Sequence, residues 1–349
     1  MNFESYILPH IWNLKPYSSA RDEFKGNEGV FLDANENPIG SATEESWNRY
    51  PDPLQYDIKT ILADIKHCPI DQIFLGNGSD EAIDLLIRMT CQPGQHEIII
   101  CPPTYGMYEV SASINNISLQ RINLTLDYQL DVAGIQSAIN QNTRLIFLCS
   151  PNNPTGNKLN RSAIYEVLQS FQTGFVVIDE AYIDFSDEPS FISELKAYPQ
   201  LIVLQTLSKA YGLASLRLGM AYAAPKLIQL FNKIKPPYNI GGATQKIVLE
   251  ALQNKEFVKK SVELIKIEKE NLILKLASQK DIIQIFPSEA NFVLIKFNQA
   301  QELFDYLISQ KVITRNRTNV SLCEGSIRIT IGLPDENAYL LKKISDFYA

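Results

Sequence analysis

The sequence predicts an α/β fold: a large domain on a mainly parallel sheet covered by helices, and a smaller α+β domain after it. Two observations carry this. Between about residues 70 and 225, short apolar runs alternate with amphipathic stretches, the pattern of strands and crossover helices in a parallel sheet. After about residue 243 the chain becomes Lys/Glu-rich and helical, then gives strand-like runs separated by a helix. The expected divisions are an N-terminal arm over 1–35, a large domain over 36–242 and a small C-terminal domain over 243–349.

Taken in order, "IFL" (73–75), "EIIIC" (97–101), "RLIFLC" (144–149), "FVVID" (175–179) and "LIVLQ" (201–205) are the buried strands. Over 79–90, Ile83, Leu86 and Ile87 form a helical stripe behind Ser79. Over 160–171, Ile164, Val167, Leu168 and Phe171 fall at i, i+3, i+4 and i+7, and Asn160 is placed to cap the helix start. The C-terminal part has a helical region to about 279, "IIQIF" (282–286), "NFVLIKF" (291–297), a helix around 300–310, "VITRN" (312–316) and "SIRITIG" (326–332). The N-terminal stretch to about residue 30 has little periodicity. It is expected to wrap onto a neighbouring chain or the small domain.

The 349 residues are 45% hydrophobic and 20% charged, ordinary for a soluble globular chain of one large and one smaller domain. The net charge of -7 argues against nucleic-acid binding, which needs a basic face. "MNFESYILPHIWNLKPY" lacks the basic start and long apolar core of a signal peptide, and runs such as "LIFLC" are too short to span a bilayer. The cytoplasm is the expected location. The cysteines, at 68, 91, 101, 149 and 323, form no C-x-x-C pair and read as reduced structural thiols. The histidines lack zinc-site spacing, so no metal is expected, and no G-x-S-x-G elbow is present.

In open α/β sheets, ligands bind beyond the carboxyl ends of the strands. The residues just after each strand are therefore informative. "GNGSDEA" after the first is a Gly-rich turn opening a helix, an anion site by its free N–H groups or simply a turn. "PPTYGMYE" after the second places Tyr105 to stack on a flat ring or to sit partly buried. "SPNNPTG" after the third offers Asn152 and Asn153, either turn residues or amide donors. Asp179 ends an apolar run, where a carboxylate is costly without a partner. "SKAYGLASLRLG" after the fifth holds Lys209 and Arg217 among small apolar residues, with no carboxylate in the stretch. Pyridoxal phosphate needs this whole set. Its aldehyde condenses with a lysine, its ring nitrogen wants a carboxylate, and its phosphate wants a helix N-terminus and an arginine.

The ordered motifs "SPNNPTG" (150–156), "DEAY" (179–182) and "SKAYGLASLRLG" (208–219) closely resemble the fold-type I pyridoxal-phosphate aminotransferases. More narrowly, "NLKPYSSARDEF" (13–24), "LDANENP" (32–38), "NRYPDP" (48–53), "GNGSDEAIDLLIR" (76–88), "PPTYGMY" (102–108) and "RITIG" (328–332) resemble the histidinol-phosphate aminotransferase family over nearly the whole chain. Ser215 departs from the pattern, standing where a glycine is more usual. The resemblance implies an aspartate-aminotransferase-like fold with a seven-stranded sheet. It implies that Lys209 forms the cofactor aldimine and that Asp179 pairs with the ring nitrogen. Asn153 and Tyr182 would bond the cofactor's phenolic oxygen, and Tyr105 would stack on its ring. Gly78, Ser79, Asp80, Ser208 and Arg217 would hold its phosphate. Tyr50 would reach the phosphate of the neighbouring subunit, which implies a homodimer with shared sites. Arg328 would bind the α-carboxylate of glutamate, with Arg315, Tyr17 and Asn35 toward the phosphorylated substrate.

The implied reaction exchanges histidinol phosphate and 2-oxoglutarate for imidazole acetol phosphate and glutamate. A threonine-phosphate decarboxylase or an aromatic aminotransferase on the same fold is the nearest alternative. A regulator that has adopted the fold would carry an added DNA-binding segment, and none is visible. A dinucleotide-binding oxidoreductase would need G-x-G-x-x-G, of which "GNGSDEA" offers only the first two glycines.

Overall fold

The computed structural model describes residues 2–17 and 29–349. "SSARDEF" (18–24), part of the N-terminal motif, lies outside the described residues.

Seven strands form the larger sheet: β1 Ile73–Asn77, β2 Glu97–Ile100, β3 Ser118–Arg121, β4 Thr143–Cys149, β5 Phe175–Asp179, β6 Leu201–Thr206 and β7 Leu218–Ala223. Their order is β1-β7-β6-β5-β4-β2-β3. Neighbours are parallel except at β7, which runs antiparallel to both β1 and β6. Four more strands, β8 Ile282–Ile285, β9 Phe292–Phe297, β10 Arg315–Asn316 and β11 Ser326–Thr330, form an antiparallel sheet in the order β10-β11-β9-β8. The helices are α1 Pro9–Trp12, α2 Tyr56–Lys66, α3 Ser79–Thr90, α4 Met107–Ile114, α5 Val132–Ala138, α6 Arg161–Ser170, α7 Pro225–Ile234, α8 Gly242–Gln253, α9 Lys255–Ala277, α10 Ala300–Ser309 and α11 Pro334–Tyr348.

The central strands are mostly apolar along their middles because both faces are covered. In β5, Phe175 and Val177 join Phe147 of β4 and Ile83 and Leu86 of α3 on one face. Val176 and Ile178 join Ile146 and Leu148, with Ile164 and Val167 of α6, on the other. Each such aliphatic side chain contributes about 1.5–3 kcal/mol by its burial. The smaller sheet has its own core, where Val293, Ile295 and Ile327 meet Leu303 of α10 and Leu272 of α9.

Several elements differ from the sequence reading. β3 has mixed exposure at the sheet edge, and so gives no apolar run. β7 is built partly from small residues, "LGMAYA". The strand expected over 312–316 shrinks to β10, an edge strand of two residues. The long helical region breaks at Asn254, whose Oδ1 accepts from Phe257 N at 3.4 Å and starts α9. Asn160 stands at the start of α6, but its side chain makes no capping bond. The N-terminal stretch does not wrap away from its own large sheet at residues 3–12: Phe3 and Tyr6 pack on Phe175, and Leu8 N donates to Met89 O at 2.9 Å. All five cysteines are buried and free. Among the described residues no helix is long and apolar enough to cross a membrane.

Candidate active site

The carboxyl ends of β1, β2, β4, β5 and β6 lie along one edge of the large sheet. Because β7 runs the other way, its start lies at that same edge and delivers Arg217 there. A cavity of about 670 Å³ opens at this edge, closed on the far side by Arg315 and Arg328 of the small sheet and by Arg317 just after β10.

Asp179 ends β5 and is 2% exposed. Tyr108 Oη donates to its Oδ2 at 2.6 Å, and Ala181 N donates to its Oδ1 at 3.0 Å. Burial pushes its carboxyl up, against the pull of these two bonds. A cationic nitrogen facing it would reverse that cost. Lys209 follows β6 and opens onto the same cavity, its Nζ 5.5 Å from the centre of the Tyr182 ring. Among the described residues it makes no ion pair. Desolvation by the cavity walls, then the charge of Arg328, holds its amine below the ordinary lysine value, although Asp179 opposes this. An amine that sheds its proton more easily is a better nucleophile.

The first turn of α3 forms a cradle. Asp80 ties it together: Tyr105 Oη donates to Oδ1 at 3.1 Å and Arg217 Nη2 to Oδ2 at 3.2 Å. Gly78 has φ +76°, and Gly78 N donates to Arg217 O at 2.6 Å. A Cβ on Gly78 would sit 2.6 Å from Arg217 Nη2, inside the space the cradle leaves. A Cβ on Gly219 would collide with the backbone of Gly78 and Ser79. Ser208 is set by Thr206, whose Oγ1 donates to Ser208 Oγ at 3.0 Å and accepts from Ser208 N at 3.1 Å. Free N–H groups at a helix start, an arginine and a hydroxyl suit a phosphate.

On the other side, the register of β10 on β11 pairs Arg315 with Arg328. Arg328 lies 5.0 Å over the Phe292 ring and donates through Nη1 to Asn153 Oδ1. That leaves the Asn153 amide nitrogen as a donor toward the cavity. The Arg328 Nε is buried without a partner. Burial, and then Arg315, lowers the Arg317 guanidinium. Three guanidiniums that have no paired carboxylate among the described residues make a site for anions.

Twelve of the residues expected from sequence line this one cavity: Gly78, Ser79, Asp80, Tyr105, Asn153, Asp179, Tyr182, Ser208, Lys209, Arg217, Arg315 and Arg328. Asn152 proves to be a loop brace, donating to Pro103 O at 2.8 Å and Thr155 Oγ1 at 2.7 Å. Tyr17, Asn35 and Tyr50 are not brought to the cavity of their own chain. Tyr17 and Asn35 are exposed, and Tyr50 stacks on Tyr238 at 4.4 Å. Sequence reasoning missed Tyr108, Thr206 and Arg317. Only Arg317 left a signal, as a second arginine two positions after Arg315 in "TRNRT".

The donor set fits pyridoxal phosphate: an amine, a buried carboxylate, an anion cradle and a stacking ring surround one space. Fold and site together define a pyridoxal-phosphate-dependent aminotransferase, and the family model for aminotransferases of class I and II matches residues 21–344. The chain is 50% identical over 346 residues to the histidinol-phosphate aminotransferase of Cytophaga hutchinsonii, covering 99% of each. It is 48% identical over 345 residues to that of Parabacteroides distasonis, again covering 99% of each. The chain belongs to the histidinol-phosphate aminotransferase family. Among solved structures, the histidinol-phosphate aminotransferase of Sinorhizobium meliloti in complex with pyridoxal-5'-phosphate shares the fold, with a TM-score of 0.79 at 24% identity over 90% of each chain.

Proposed function

We propose that this chain exchanges the amino group between L-histidinol phosphate and 2-oxoglutarate, yielding imidazole acetol phosphate and L-glutamate, a step of histidine biosynthesis. The observation that carries this is one cavity holding a lysine at one wall and three arginines at the other, none of them in an ion pair among the described residues. When bound, pyridoxal phosphate supplies an aldehyde for the substrate amine and a ring that takes up electron density.

Lys209 Nζ would hold this aldehyde as the nucleophile and, once freed, would serve as the base that takes the proton from the substrate Cα. Asp179 would face the ring nitrogen. Asn153, through its amide nitrogen, and Tyr182, through its hydroxyl, would face the phenolic oxygen, while Tyr105 would cover the ring. The backbone N–H groups of Ser79 and Asp80, with Ser208 and Arg217, would hold the cofactor phosphate, whereas the Gly78 N–H already donates to Arg217 O and that glycine serves by its missing side chain. Arg328 takes the glutamate carboxylate, and Arg315 with Arg317 takes the substrate phosphate, since a guanidinium fork matches both groups.

The working assembly is a homodimer in the cytoplasm. Tyr17, Asn35 and Tyr50 lie on an N-terminal segment that exposes Leu32 and Ile39, apolar surface suited to a second copy. There they would serve the neighbouring cavity. The cofactor-binding body extends to α8, because Val248 and Leu252 share a core with Ile58 and Leu62 of α2. The smaller body then begins at α9 rather than at 243.

Turnover of histidinol phosphate, threonine phosphate and phenylalanine, measured side by side, tests the substrate. Histidinol phosphate should give the highest kcat/KM, and a preference for either of the others overturns the reading. Lys209→Ala should lose the bound-cofactor absorbance band and turnover together. Full activity in that variant contradicts the role of Lys209.

A further inference from the structure

We infer that Tyr108 is a positioning residue for the amino transfer: its hydroxyl holds the Asp179 carboxylate, oriented and ionised, against the cofactor's ring nitrogen. The inference rests on the reading that Asp179 faces that nitrogen.

Tyr108 lies on α4 and is fully buried. Its ring is fixed twice. It stacks on Phe147 at 4.7 Å with an interplanar angle of 18°, and meets Tyr105 edge-on at 5.6 Å and 85°. The Tyr108 hydroxyl then meets Asp179 Oδ2 at 2.6 Å, with the buried Cys149 thiol also beside it. The other carboxylate oxygen is held by Ala181 N–H at 3.0 Å. Each oxygen therefore has its own donor, and the two bonds together hold the carboxylate in place. The same Tyr105 that lines the cavity braces Tyr108, so ring face and ring nitrogen are positioned by one aromatic pair.

The direction of the bond is also fixed. Burial pushes the Tyr108 hydroxyl well above its ordinary value, so it stays protonated and can only donate to an ionised partner. A bond to a charged acceptor is among the stronger kinds, and it favours the charged form. Without it, a carboxylate that is 2% exposed binds a proton more tightly. The proton shared with the ring nitrogen would then move toward Asp179, and the ring would take up less electron density.

The test uses the holoenzyme loaded with pyridoxal phosphate labelled with 15N in the ring. In the parent protein the 15N resonance should stand at the protonated-pyridine position. Tyr108→Phe removes one oxygen and keeps the ring. It should move the resonance toward the unprotonated position and lower kcat about tenfold or more, with KM for histidinol phosphate nearly unchanged. Phe147→Leu disturbs the stack but leaves the hydroxyl. It should lower Tm while leaving the resonance in place. A Tyr108→Phe variant with the parent's resonance and kcat overturns the inference, as does a Phe147→Leu variant that moves the resonance equally. An unprotonated resonance in the parent itself would instead contradict the Asp179 reading.

Discussion

The cavity meets negative charge with two differently built ends. At the sheet end, Arg217 already donates to Asp80 at 3.2 Å, and much of the anion site is backbone N–H from the first turn of α3. At the small-sheet end, Arg315, Arg317 and Arg328 make no ion pair among the described residues, and each guanidinium raises the cost of the next. A cation paired in advance, beside fixed dipoles, suits a group that stays, such as the cofactor phosphate. Unpaired guanidiniums gain most when an anion arrives and lose it again when the anion leaves. That suits substrates that exchange at every turnover, one with a phosphate and one with a carboxylate.

The largest effect that would sharpen this contrast is expected at Gly219. Its Cβ would strike the backbone of the cradle, so Gly219→Ala should shift the cofactor and lower kcat/KM on the order of 100-fold for every substrate alike. Cofactor titration and steady-state kinetics check this. At the other end, the loss should depend on the substrate. Arg328→Gln should lower kcat/KM for glutamate about 10–100-fold, the value of a charged hydrogen bond, and leave cofactor affinity nearly intact. Arg317→Gln should raise KM for histidinol phosphate roughly tenfold, with the glutamate half-reaction little changed. Equal losses for both substrates in the Arg317 variant would break the comparison.

The smallest effect is one of pH. The folded Lys209 amine loses its proton below the ordinary value of 10.5 that it keeps when unfolded. Between those two points the unfolded chain carries the extra proton, so stability rises with pH there. Below them the full penalty of confining the cation is present. Lys209→Met should therefore raise the Tm of the cofactor-free chain at neutral pH, and the gain should shrink as pH rises toward 10.5. Thermal melts across this range read it directly. A gain that grows with pH contradicts the sign.

Much of the sheet end was legible in the sequence, because strands buried on both faces leave continuous apolar runs and their ends are easily located. "FVVID" both forms β5 and ends on Asp179. The edge strand β3 was not legible, since an edge has no need of apolar residues on both faces. Tyr108 was hidden for another reason. Its value lies in a bond to Asp179, far along the chain, and only the packing of α4 against the large sheet creates it. Arg317 directly follows a short edge strand, where polar residues are the norm and no periodicity singles one out. Tyr17 and Asn35 were legible only through resemblance, and their own chain leaves them outside the cavity.

The proposed chemistry centres on Lys209, and borohydride reduction of the cofactor-loaded protein followed by peptide mapping tests it most directly. One stable cofactor adduct is predicted, on the peptide that carries Lys209, and none when Lys209→Ala is treated in the same way. An adduct on a different lysine, or no covalent adduct in a fully active protein, would contradict it.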